Sequence, residues 1–159
     1  MFTIEASFRQ AIRVTASPQE VFAVVADVPD SAAHFPGVES LDADSAGYRW
    51  ILKRAGVGKL SLQLVYGCRY TSDSALPVVR WEPIEGIGSA RVSGHWQIDP
   101  DGTGTRLTLH NQLALRIDAP RLIRRPAAAV LEKENARMLR TYLANLTTTF
   151  DGGDGRTHR

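Results

Sequence analysis

From Val38 to Ile117 the chain alternates apolar and polar residues in one segment after another. Tyr48, Trp50 and Leu52 alternate with Arg49 and Lys53. In the run Lys59–Tyr70, Leu60, Leu62, Leu64, Tyr66, Cys68 and Tyr70 share one face, opposite Ser61, Gln63 and Arg69. Val79 and Trp81 mark a further strand reaching Pro83. Ala90, Val92, Gly94, Trp96 and Ile98 then alternate with Arg91, Ser93, His95 and Gln97. The turn residues Asp99 to Gly104 lead into Leu107, Leu109, Leu113, Leu115 and Ile117, which alternate with Thr108, His110, Gln112 and Arg116. Residues 3–14 show the same pattern through Ile4, Ala6, Phe8, Ile12 and Val14. A period of two sustained this long predicts an antiparallel sheet with one buried face and one wet face.

Two segments break the pattern. Ser17-Pro18-Gln19-Glu20 opens a helix, with serine at the cap, proline in the first turn and glutamate three residues after the cap. A second short helical piece is expected over Asp30–His34, ended by Phe35-Pro36-Gly37. After Asp118 the period becomes helical. Asp118 is a candidate cap and Pro120 a first-turn residue, and Pro126 must kink or restart the helix because it lacks an N–H. Beyond it, Leu131, Met138, Tyr142 and Leu146 recur at helical spacing opposite Glu132, Lys133, Arg137 and Arg140. The expectation is an amphipathic helix of roughly 24 residues, about 36 Å long.

About seven strands at ~4.8 Å spacing make a sheet roughly 33 Å wide. One helix about 10–12 Å across cannot cover it flat. Either another surface covers the remainder or the sheet curls around the helix, which leaves an apolar interior unless the curl is tight enough to close it. The fold class is therefore α+β: a curved antiparallel sheet wrapped around a long C-terminal helix, with two short helices after strand 1. A chain of 159 residues is expected to form a single domain over 1–150, and the glycine-rich residues 151–159 read as a disordered tail.

Composition narrows the function classes. The fractions of apolar residues, 43%, and charged residues, 23%, are those of ordinary globular chains. A net charge of +2 gives no basic face for nucleic acid. That total hides a split of about −2 over residues 1–119 and +4 over 120–159. A single cysteine, Cys68, forbids an internal disulfide and fits the cytoplasm, where the absence of a signal sequence or apolar span also places the chain. With one cysteine and no histidines at ligand spacing, neither a metal nor another cofactor is expected.

The order of elements resembles the helix-grip fold of the START and birch-pollen-allergen superfamily. Val14-Thr-Ala-Ser-Pro-Gln-Glu-Val-Phe22 looks like its first strand running into its first helix. His34-Phe-Pro-Gly-Val-Glu-Ser-Leu41 resembles a segment of the members that accompany carbon monoxide dehydrogenase. Gly104-Thr-Arg-Leu-Thr108 resembles the last turn and strand of polyketide cyclase-like and coenzyme-Q-binding members. The resemblance covers residues 3 to about 149. It implies a ligand-holding fold whose members include lipid carriers, cyclases, hydrolases and accessory proteins.

Candidate cavity residues are polar or aromatic groups on the apolar parity: Gln10, Trp50, Tyr66, Tyr70, Trp81, Trp96, Asn111, Asn135, Met138 and Tyr142. Either they orient a ligand or they pair with one another in the core. Arg54 continues an inward parity and is a candidate for an acidic headgroup, or else reaches solvent; His34 is a rim candidate; His95 and His110 fall on the wet face. Gly86-Ile87-Gly88 reads as a loop or bulge, and the resemblance to helix-grip members implies a gate at the mouth for such a loop. No carboxylate falls clearly inward, so no general acid–base pair is evident and the reading leans away from an enzyme. The leading expectation is non-catalytic binding or transport of a lipid, quinone or polycyclic molecule by a monomer or homodimer. The alternatives are a cyclase or aromatase using Tyr66, Asn111 and Tyr142, and an accessory protein docking on an oxidoreductase or membrane through Arg121, Arg124 and Arg125.

Overall fold

The computed structural model describes residues 1–57 and 60–157, with side chains for 1–55 and 61–152. In chain order the elements are β1 (Phe2–Val14), α1 (Pro18–Val25), α2 (Val28–Ala32), β2 (Val38–Asp44), β3 (Gly47–Leu52), β4 (Ala55–Val57), β5 (Leu60–Leu62), β6 (Val65–Asp73), β7 (Val78–Pro83), β8 (Ala90–Asp101), β9 (Gly104–Ile117) and α3 (Arg124–Thr157). Seven strands form one antiparallel sheet in the order β1-β9-β8-β7-β6-β3-β2. β4 and β5 pair only with each other. The sheet curves around α3, which buries Leu131, Met138, Leu139, Tyr142, Leu143, Leu146 and Phe150 against it.

The short helices start where side chains cap them. Ser17 Oγ accepts from the Glu20 backbone N–H at 3.2 Å and donates to the Glu20 carboxylate at 3.1 Å. Asp27 caps α2 by accepting from the Asp30 N–H at 3.2 Å, so this helix begins at Val28 rather than at Asp30.

Three further expectations are corrected. The single strand expected over Lys59–Tyr70 is two, since the chain leaves the main ladder at Gln63-Leu64. There the Gln63 amide donates to the Leu52 carbonyl at 3.1 Å and the Leu52 N–H donates to the Leu64 carbonyl at 3.0 Å. Lys59 and the Leu60 side chain lie outside the described residues. At the other end, Asp118 does not start the last helix. A 3₁₀ turn over Arg121–Ile123 precedes α3, and Pro126 sits in the first turn of α3, where no intrahelical acceptor awaits its missing N–H. Finally, the last helix has 34 residues, Arg124–Thr157, rather than roughly 24. Asp151 Oδ1 accepts from the Thr15 N–H at 2.8 Å and from the Thr15 hydroxyl at 3.1 Å, which ties this end to the β1–α1 junction. His158 and Arg159 lie outside the described residues. No helix is long and apolar enough to cross a membrane.

Candidate functional site

A cavity of about 60 Å³ lies between the concave sheet and α3. Eight of the ten candidate residues line it: Trp50 from β3, Tyr66 and Tyr70 from β6, Trp81 from β7, Trp96 from β8, Asn111 from β9, and Met138 and Tyr142 from α3. Adjacent strands bring these rings together. The Trp50 and Tyr66 rings stack at 5.9 Å, and Trp81 meets Trp96 edge-on at 6.2 Å. A tightly packed set of aromatics therefore fills most of the curl, and the space left holds a few water molecules.

Two candidates fall elsewhere. Gln10 faces Leu109 across the ladder, yet its side chain is exposed. β1 is an edge strand, with a neighbour on one side only, and the side chain reaches solvent past that edge. Asn135 is buried on α3 but outside the lining. It lies one turn before Met138 on the same helix. Arg54 does not enter the cavity either; it is exposed, and its guanidinium reaches the Ser61 carbonyl at 3.5 Å.

Residues from α2 and the turn after it complete the wall, and strand parity gives no sign of them. Phe35 packs edge-on against Tyr142 at 5.0 Å and Trp50 at 5.9 Å. The Ser31 and Tyr142 hydroxyls share a short, buried hydrogen bond. His34 is not a free rim group. Its Nδ1 meets the Asp30 carbonyl at 2.9 Å and its Nε2 meets the Thr149 hydroxyl at 2.8 Å, so it fastens α2 to α3.

The polar atoms around the cavity are neutral, and several are paired. Trp81 Nε1 donates to Asn111 Oδ1 at 3.1 Å. Burial, then the neighbouring Cys68 and Tyr142, pushes the Tyr66 hydroxyl well above its ordinary value. Burial likewise raises Tyr70 and Tyr142. The Cys68 thiol, next to Tyr66 in the strand pattern, donates to the Val92 carbonyl at 3.4 Å and is pushed up to about 12 by burial. Among the described residues no histidine or carboxylate lines this cavity, and no group of three metal-ligating side chains exists.

A second space of about 20 Å³ adjoins the first between α3 and the β4–β5 hairpin. Leu52, Leu64 and Met138 line both. Met138, unbranched with three rotatable bonds, is the most adjustable part of that partition. The Gly86-Ile87-Gly88 loop, by contrast, lines neither space. Ile84 and Ile87 lie against Gly67 on the outer side of β6, where a Cβ would sit 2.7 Å from Ile87 Cδ1.

The family profile described as polyketide cyclase / dehydrase and lipid transport matches residues 5–151. The chain belongs to this family. Among solved structures, the ZhuI aromatase/cyclase from Streptomyces sp. R1128 is similar at 22% identity and a TM-score of 0.66, over 91% of this chain and 95% of that one. Norcoclaurine synthase from Thalictrum flavum is similar at 12% identity and a TM-score of 0.62, over 94% and 96%. A START superfamily protein from Mycobacterium smegmatis is similar at 12% identity and a TM-score of 0.58, over 90% and 97%. At these identities the likeness is one of fold, and it is the helix-grip fold that the order of elements suggests. No curated protein matches the chain.

Proposed function

We propose that this family member binds an apolar small molecule, such as a lipid, quinone or polycyclic compound, between the sheet and α3 without transforming it. The observation that carries the reading is the chemistry of the wall. Aromatic and aliphatic groups dominate it, and its hydroxyls stay protonated at neutral pH. Such a wall offers shape, apolar contact and a few neutral handles, but no base to take a proton. A ligand larger than a few waters displaces side chains on entry, and rotation of Met138 joins the two spaces. Native mass spectrometry of the purified protein, followed by extraction, is expected to yield an apolar species. Empty extracts, with no apolar probe competing against lipids or quinones, would sink the reading.

One arrangement favours a cyclase of the aromatase type. The Tyr66, Tyr70 and Tyr142 hydroxyls and Asn111 surround one space, and protonated phenols can donate to carbonyl oxygens of a folded polyketone. Turnover of a polyketone substrate that Asn111→Leu abolishes, with folding intact, is the result this second reading requires.

Docking is a separate part of the proposal. Arg121, Arg124 and Arg125 are exposed around Leu122, which is 89% exposed. A leucine among arginines suits an anionic lipid surface from which an apolar ligand is drawn. Loss of vesicle binding in an R121Q/R124Q/R125Q variant is expected; unchanged binding removes this role.

A further inference from the structure

The outer face of the sheet carries a row of basic side chains that sequence spacing scatters over 102 positions. The registers set Arg9 of β1 opposite His110 of β9, His110 opposite His95 of β8, and His95 opposite Arg80 of β7. Three inter-strand steps make a row about 14 Å long. The two imidazoles stack with centroids 4.3 Å apart and planes 13° apart. Groups of like charge directly opposite one another destabilise a sheet, and no acid interrupts this row. Among the described residues neither arginine has an ion-pair partner, and His110 Nε2 is buried without a hydrogen-bond partner.

An open groove runs over the middle of the row, lined by Arg80, His95, His110, Ser93 and Gln112 together with one acid, Glu82. Arg69 of β6 stands opposite Glu82 and offsets that one acid. Four residues along the strands from the two histidines, Asp99 and Arg106 face each other and cancel in the same way. The flanking positions supply a hydroxyl and an amide, both able to donate.

We propose that this face is a binding site for a soluble dianionic oxyanion, such as a phosphate or sulfate ester, held by Arg9, His110, His95 and Arg80 and strengthened when the histidines are protonated. Two fixed guanidiniums disfavour a metal cation between the imidazoles, whereas an oxyanion accepts hydrogen bonds from guanidinium and imidazolium alike. Burial, then His110, then Arg80, lowers the pKa of His95 below its ordinary 6.5. A bound anion reverses the charge contribution. The ring then takes up a proton on binding, and affinity grows as pH falls through the histidine range.

Sulfate is the probe, because it does not titrate near neutrality. Histidine ring resonances, assigned with H95Q and H110Q, are followed against sodium sulfate at constant ionic strength, at pH 5.5 and 7.5. The expected result is a saturable shift of both rings, at least tenfold tighter at pH 5.5, with a raised His95 pKa. H95Q/H110Q should reduce the pH effect to below twofold, and R9Q/R80Q should weaken binding at both pH values. These side chains are exposed or half-buried on the wet face, and wild-type proton uptake by calorimetry gives a readout independent of any variant. No saturable shift at pH 5.5, or a shift indifferent to all four substitutions, overturns the proposal. So does saturation by zinc but not sulfate, or row-dependent binding to phosphatidic acid vesicles that sulfate does not compete.

Discussion

Gly94 decides how Trp81 can lie. A Cβ at that position would come within 2.8 Å of Trp81 Cζ2 and 2.1 Å of the His110 carbonyl, so the bare backbone is what lets the indole pack flat and reach Asn111. Gly94→Ala is expected to lower stability by about 1–3 kcal/mol, as overpacking does, measured by urea denaturation. Cys68 makes a different prediction. Burial raises its pKa, so its contribution to stability is full below the thiol's ordinary 9.0 and is lost as pH rises toward about 12. At pH 8 the folded protein should react with iodoacetamide far more slowly than the denatured chain, since the thiolate is the nucleophile. Equal rates would show that the thiol is open to solvent.

At the scale of elements, α3 closes the molecule, and its two ends are held differently. Near the start, Val130, Leu131 and Met138 meet the β4–β5 hairpin, which pairs with no other strand. Near the far end, Asp151 bonds Thr15 and His34 bonds Thr149. The hairpin side is therefore the one expected to open for a ligand. Met138→Ala should join the two spaces and cost about 2–5 kcal/mol while improving uptake of a small apolar probe such as benzene. Reduced uptake in that variant would place the partition elsewhere. Asp151→Ala removes accepted hydrogen bonds at the other end and is expected to cost about 1 kcal/mol by thermal denaturation, with no effect on the probe.

Over the whole molecule the two faces of one sheet divide the chemistry. The concave face is neutral and aromatic, while the outer face carries the basic row. Because His95 is lowered in the folded state, the unfolded chain binds more protons in the histidine range. Stability should therefore rise as pH increases from about 5 to 7, and H95Q should flatten the rise, read from melting temperatures across that range. A fall over the same interval would mean that another group dominates.

Much of this arrangement is legible in the sequence because it is local. The period of two in β8 and β9, the shift to helical spacing after Asp118 and the Ser17 cap each depend on residues a few positions apart. Parity even brings Trp50, Tyr66, Trp81 and Trp96 to one side, since alternation puts every second strand residue on the same face. It fails at Gln10 because parity does not say where a sheet ends, and at Arg54 because the strand leaves the ladder after Leu52. It gives no sign of Ser31 or Phe35, which reach the cavity from a short helix and a turn. The sequence by itself determined which strand residues share a face. Only the tertiary structure decided how tightly the sheet curls, hence the size of the cavity, and which strands lie side by side, hence the meeting of Arg9, His110, His95 and Arg80. Both depend on contacts between residues far apart in the chain, where spacing carries no information.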